Sequence, residues 1–208
     1  MLGAVGLYTD RILPRLTDLA LRGPEIDRLR ARAASGLAGE VLEIGFGGGP
    51  NLPHYPPAVT RVLAVEPSPG ARRLAARRIA AARVPVELVG LVGEELPLPD
   101  ASVDHVLSTW TMCTIPDVDR ALAEVVRVLR PGGTLRFLEH GRSPDPAVAR
   151  WQDRLTPIQR RVAGGCHLNR RIDEIVRRSG LRVEQLDNFH IRVPRPFGYM
   201  YEGVATRV

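Results

Sequence analysis

From Gly39 onward, short apolar runs alternate with longer stretches whose apolar residues recur at helical spacing. Val41–Ile44, Arg61–Val65, Val86–Val92 and Val103–Thr109 read as four strands. Ala71–Arg83, rich in Ala, Leu and Arg, reads as a helix, and so does Val118–Leu129. The second of these is expected to stop at Arg130-Pro131-Gly132-Gly133, because proline cannot continue a helix and glycine accepts positive φ. Thr134–Leu138 follows as a fifth strand, and a turn with a helix is expected between the first and second strands. Repeated strand–helix alternation predicts a parallel sheet covered by helices on both faces.

Two segments break this rhythm. Residues 1–38 precede the first strand and read as helical over Tyr8–Leu21 and Pro24–Ala34; residues 141–167 separate the fifth strand from a helix over Leu168–Ser179. β-type runs at Arg182–Leu186 and Tyr199–Thr206 complete the chain. The expected architecture is α/β: a Rossmann-like, seven-stranded, mostly parallel sheet with helices on both faces and a helical cap from the N-terminal segment and the insert. A single domain over 1–208 is expected, with 1–38 as N-terminal cap, 39–140 as core, 141–167 as cap insert and 168–208 as C-terminal helix and strands.

The chemistry concentrates at the first strand end. Glu43-Ile44-Gly45-Phe46-Gly47-Gly48-Gly49-Pro50-Asn51 is a glycine-rich turn, where missing Cβ atoms permit a sharp bend and close approach of a ligand. In a parallel sheet, ligands bind beyond the carboxyl ends of the strands. Glu66 ends the second strand, where a carboxylate accepts hydrogen bonds from both hydroxyls of a ribose. A dinucleotide site needs G-x-G-x-x-G, and its third glycine would fall on Pro50. That disfavours a nicotinamide-dependent oxidoreductase and leaves another ribose-bearing cofactor.

Composition narrows the picture further. The 208 residues are 44% hydrophobic and 25% charged, and net charge is +6, values of a soluble globular chain. Every basic residue is arginine. The densest basic run, Arg72 to Arg83, lies in an Ala-rich helical stretch without the aromatics that interleave base-stacking surfaces, so it reads as a solvated face and no nucleic-acid partner is expected. Met1–Leu21 is broken by Asp10, Arg11, Arg15 and Asp18 and lacks the pattern of a secretory signal; a cytoplasmic protein with weak membrane-surface contact, monomeric or homodimeric, is expected. Cys113 and Cys166 lie in no CxxC pair or zinc-spaced cluster, so no metal is expected and both read as reduced thiols.

The pattern Glu-x-Gly-x-Gly-x-Gly at Glu43–Gly49 resembles motif I of the class I S-adenosylmethionine-dependent methyltransferases. Val92-Gly93-Glu94 resembles that family's adenine-contacting loop, with Val92 where many members carry Asp, and Leu129-Arg130-Pro131-Gly132-Gly133 resembles the turn before its fifth strand. A narrower resemblance, to the thiol S-methyltransferase group, rests on Asn51-x-x-x-Tyr55-Pro56-Pro57, Glu66-Pro67-x-Pro69, Gly93-Glu94, Thr109-x-x-x-Cys113-x-Ile115, Glu139-His140, Trp151-Gln152 and Gly165-Cys166-x-Leu168-x-Arg170. Those relatives carry an apolar N-terminal anchor, which this sequence is read as lacking. The resemblance implies S-adenosyl-L-methionine as cofactor, held by Glu43, Gly45, Gly47, Gly49, Asn51, Glu66, Pro67, Gly93, Glu94 and Thr109.

Methyl transfer from a sulfonium is an in-line displacement in which the enzyme aligns three atoms and excludes water. A small-molecule acceptor, a thiol in the narrower resemblance, is expected; a quinone-like or lipid acceptor, and a cofactor-binding protein without turnover, are the alternatives. His140, at the fifth strand end, is the expected base or orienting group, and Trp110 the expected acceptor contact. Tyr8, Trp151, Cys166 and His167 are candidates for the cap lining. His54, His105 and His190 read as surface or packing residues.

Overall fold

The computed structural model describes Gly6 and residues 8–208. A seven-stranded sheet holds β1 (Gly39–Ile44), β2 (Val59–Val65), β3 (Val86–Gly90), β4 (Val103–Thr109), β5 (Leu129–His140), β6 (Arg182–His190) and β7 (Tyr199–Thr206) in the order β3-β2-β1-β4-β5-β7-β6. β1 pairs in parallel with β2 and β4, β2 with β3 and β4 with β5, whereas β7 runs antiparallel between β5 and β6. The order reverses direction at β1/β4, so the crevice at that point lies beyond the ends of β1 and β4.

Side-chain alternation along the strands sorts the core into two layers. Leu42, Ile44, Val106 and Phe137 pack with α4 (Val118–Val128) and α6 (Ile172–Arg178) on one face. Val41, Leu107 and Leu138 pack with α2 (Pro24–Ala34) and α3 (Pro69–Ala80) on the other. By the same parity, Glu43 and Thr109 project toward the α2 face.

Three expectations are corrected. No α-helix follows the glycine turn: a single 3-10 turn, Leu52–His54, joins it to β2. Pro50, Pro53, Pro56 and Pro57 remove backbone donors too closely for an α-helix to form. Arg130-Pro131-Gly132-Gly133 lies inside β5 rather than before it; the pairing with β4 jumps from Val103↔Leu129 to His105↔Thr134, and this bulge, with Gly132 at φ 79°, absorbs the extra residues. Finally, residues 168–171 are not helical, and α6 begins at Ile172.

The cap has two parts. A π-helical turn, Tyr8–Ile12, runs into α1 (Leu13–Ala20), and the insert forms α5 (Pro146–Val162). The Tyr8 hydroxyl donates to the Val162 carbonyl at 2.7 Å, joining the parts. A Cβ on Gly70 would overlap the Asp10 carbonyl, so the N-terminal segment rests directly on the start of α3. A short helix α7 (Arg195–Gly198) precedes β7. Among the described residues no helix is long and apolar enough to cross a membrane.

Candidate functional site

The glycine turn is shaped by what surrounds it. Gly45 has φ 72°, and a Cβ there would overlap the Thr111 side chain that packs beneath it. Gly47 has φ 57°, and a Cβ there would meet nothing closer than the Gly45 carbonyl oxygen at 3.9 Å, so this part of the turn faces open space. The Gly47 N–H donates to Glu66 Oε2 at 2.7 Å, and the Ser68 N–H donates to Glu66 Oε1 at 2.8 Å. Each carboxylate oxygen keeps a further acceptor site. Burial pushes the Glu66 carboxyl up, opposed by these two backbone donors.

Beneath the turn lies a buried polar network. Asn51 Nδ2 donates to Glu43 Oε1 at 2.7 Å and to Thr109 Oγ1 at 3.0 Å, and the Tyr55 hydroxyl donates to the other Glu43 oxygen. Arg30 Nη1 donates to Asn51 Oδ1 at 2.8 Å and Thr109 Oγ1 at 3.1 Å. Burial raises the Glu43 carboxyl to about 7 and lowers the Arg30 guanidinium to about 10. Three expected cofactor residues, Glu43, Asn51 and Thr109, therefore meet as one cluster. Arg30 and Tyr55 complete it without having been assigned a role from sequence. The available signal was Arg30's place on the face of α2 that buries Ile26, Leu29 and Ala33.

Trp110 leaves β4 at φ 51°, a conformation costing about 1–3 kcal/mol in a bulky residue. Its backbone N–H donates to the Leu138 carbonyl at 2.9 Å, and the Arg30 guanidinium lies 4.8 Å from its ring centroid. A Cβ on Gly93 would lie 3.2 Å from Ile44 Cγ2, so the loop after β3 folds against the end of β1, and Glu94 Oε1 accepts from the Asp117 N–H at 3.3 Å. Pro67 is exposed beside Glu66. Over the turn, Arg78 Nη1 donates to the Gly48 carbonyl at 2.7 Å and pairs with Asp18 of α1 at 2.6 Å, fastening the cap to the turn.

His140 is buried beneath the insert, with Nε2 3.1 Å from Cys166 Sγ. Its Nδ1 is buried without a partner. Cys113, in the loop after β4, completes a three-residue cluster whose two Sγ atoms and one His140 ring nitrogen all lie within 4.8 Å of one another. The Cys113 thiol and His140 beside Cys166 hold the Cys166 thiol below its ordinary range; the same thiol contact and burial push Cys113 up. Burial disfavours the His140 imidazolium, but the contact with Cys166 outweighs it and raises the imidazole. The partner of Cys166 is thus His140, not the adjacent His167. Trp151 is exposed on α5, away from any lining role in this conformation.

Residues 42–137 match the family model described as Methyltransferase domain. With the sheet order and the turn–Glu66 pair, this defines the class as methyltransferases. Thiol S-methyltransferase TMT1B of Rattus norvegicus is 33% identical over 167 residues, 78% of this chain and 66% of that protein. Thiol S-methyltransferase TMT1A of Homo sapiens is 34% identical over 171 residues, 77% of this chain and 69% of that protein. The chain belongs to the S-adenosylmethionine-dependent methyltransferase family that includes these thiol S-methyltransferases. It spans about two thirds of the length of these curated relatives. Geranyl diphosphate methyltransferase, solved in complex with its cofactor, superposes with TM-score 0.67 at 15% identity over 88% of this chain and 84% of that one, a likeness of fold. The family's cofactor is S-adenosylmethionine, and the residues present fit it: the open face at Gly47 lies next to a buried carboxylate with acceptor sites to spare.

Proposed function

We propose that this chain catalyses methyl transfer from S-adenosylmethionine to a small thiol. The observation that carries the reading is the contact of Glu66 with Gly47 across an open glycine turn at the carboxyl edge of the sheet. When bound, the cofactor supplies an electrophilic methyl group on a sulfonium. Glu66, with Pro67 beside it, holds the ribose; Gly45, Gly47 and Gly49 shape the backbone against the methionine end; Gly93 and Glu94 border the adenine. Glu43, Asn51 and Thr109 act beneath the turn, keeping its backbone in place through the buried network. Trp110 borders the acceptor and excludes water. His140 orients the acceptor or takes its proton, because it is the imidazole at the strand edge that already contacts a thiol.

The thiol acceptor is drawn from the names of the relatives. A lipid or quinone-like acceptor is the second reading, and exposed apolar residues favour it: Tyr8, Ile12, Leu16 and Leu19 on the N-terminal segment, and Trp151, Ile158 and Val162 on α5. Arg11, Arg15, Arg154 and Arg161 flank them, a composition suited to an anionic membrane surface. In this proposal the protein is cytoplasmic, one domain, and touches that surface through the cap. Calorimetric titration with S-adenosylmethionine tests the cofactor, and absence of binding at millimolar concentration overturns the proposal. A product assay with a thiol, a phenol and an amine tests the acceptor: methylation of the thiol alone is expected, and methylation of the phenol alone moves the assignment to the second reading.

A further inference from the structure

We propose that Cys113, His140 and Cys166 form a zinc site whose fourth coordination position takes the sulfur of the acceptor. Two thiolates and an imidazole are a donor set suited to zinc, and three protein ligands with one open position is the arrangement of catalytic rather than structural zinc. In a tetrahedral site with ordinary Zn–S and Zn–N bonds, ligand atoms lie roughly 3.6–3.8 Å apart. Here Nε2 of His140 is 3.1 Å from Cys166 Sγ, and no pair in the cluster exceeds 4.8 Å. Metal binding thus asks each atom to move by less than about 1 Å.

The elements that carry the three residues fix the set. His140 ends β5, Cys113 follows β4, and Cys166 follows α5 at the Gly164-Gly165 corner, where both glycines have positive φ. The His167 N–H donates to the Cys113 carbonyl at 2.9 Å, locking the corner onto the loop. The neighbouring Glu139 is engaged: its carboxylate accepts from Ser108 Oγ at 2.8 Å and from the Thr111 N–H at 2.9 and 3.0 Å, so it does not fill the fourth position. No further ligand joins the cluster among the described residues. The linear spacing of 27 residues from Cys113 to His140 and 26 from there to Cys166 matches no zinc motif; the tertiary fold alone assembles the set.

Binding releases two protons to solvent, one from the Cys113 thiol and one held by the Cys166–His140 pair, as both sulfurs and the neutral imidazole become metal ligands. An acceptor thiol entering the fourth position loses its proton likewise, and its sulfur is held as a thiolate. Transfer then forms the S–CH3 bond of the product while the methyl–sulfonium bond of S-adenosylmethionine breaks, leaving that sulfur as a neutral thioether. The metal takes over the deprotonating role otherwise given to His140. This last step rests on the thiol reading; the metal site does not.

The full chain, stripped with a chelator and kept reduced, is titrated with Zn2+ and, separately, with Co2+. One equivalent of zinc at micromolar concentration is expected, with cobalt giving thiolate-to-metal absorption. Cys113→Ser, Cys166→Ser and His140→Ala should each weaken zinc binding by at least roughly a hundredfold, while S-adenosylmethionine affinity, which reports folding, stays within about threefold. Failure to take up zinc, or uptake indifferent to both serine variants, overturns the site. Addition of a small thiol should shift the cobalt spectrum, and an unshifted spectrum in a protein that methylates that thiol overturns the fourth-position assignment. Zinc uptake in a protein that methylates no thiol leaves the site standing and refutes the thiol reading.

Discussion

The two halves of the strand-end crevice are built on opposite plans. On the β1–β2 side, the turn is held by a carboxylate bridging two main-chain donors and by a network joining Arg30, Glu43, Asn51, Tyr55 and Thr109. On the β4–β5 side, two thiols and an imidazole lie buried within 4.8 Å of one another, and one imidazole nitrogen has no partner. In the β1–β2 network Glu43, Asn51, Tyr55 and Thr109 are all hydrogen-bonded and only Arg30 Nε is buried without a partner, so its geometry resists change. A cluster with spare bonding capacity is primed for a ligand. In the proposed function, the first half takes the cofactor and the second takes the acceptor.

The largest effect should come from Gly45→Ala. The added Cβ overlaps Thr111 and sits at φ 72°, so a loss of more than about 3 kcal/mol in denaturant unfolding is expected. Adding Thr111→Ala should recover part of it, and strictly additive losses would show that the two sites do not touch.

Next comes the pH dependence carried by Glu43. Its carboxyl is raised by burial from 4.5 to about 7 in the folded protein. Between those values the folded state retains a proton that the unfolded chain has lost, so stability falls as pH rises through this window, by at most about 3 kcal/mol. Glu43→Gln should abolish this slope, measured as unfolding free energy against pH for both proteins. A slope unchanged in the variant would place its origin elsewhere.

The smallest effect is the most specific. Glu66→Ala should weaken S-adenosylmethionine more than roughly tenfold, through loss of charge-assisted hydrogen bonds to the ribose. Zinc affinity at the cysteine cluster should not change. Unchanged cofactor affinity would mean that the ribose lies elsewhere, and a matching loss of zinc would mean that the two halves are not separate.

Much of this was legible along the chain because it is local. The glycine turn, the acidic strand end, the strand over Val103–Thr109 and the helix over Pro24–Ala34 follow from spacing and side-chain type, which act within a few residues. Proline density after Pro50 was equally visible, yet a helix was expected there from the strand–helix rhythm; the local chemistry prevailed. The bulge at Pro131–Gly133 depended on β4 as pairing partner, which no local pattern encodes.

By itself, then, the sequence determined the alternating sheet, the turn and its carboxylate, and through the family resemblance of its motifs it implied the cofactor class. Tertiary structure alone decided that Arg30 reaches Asn51 across 21 positions and that His140 meets Cys166 across 26. The reason is physical: periodicity and turn chemistry act between neighbours, whereas a buried polar atom finds its partner wherever packing brings one within hydrogen-bond range.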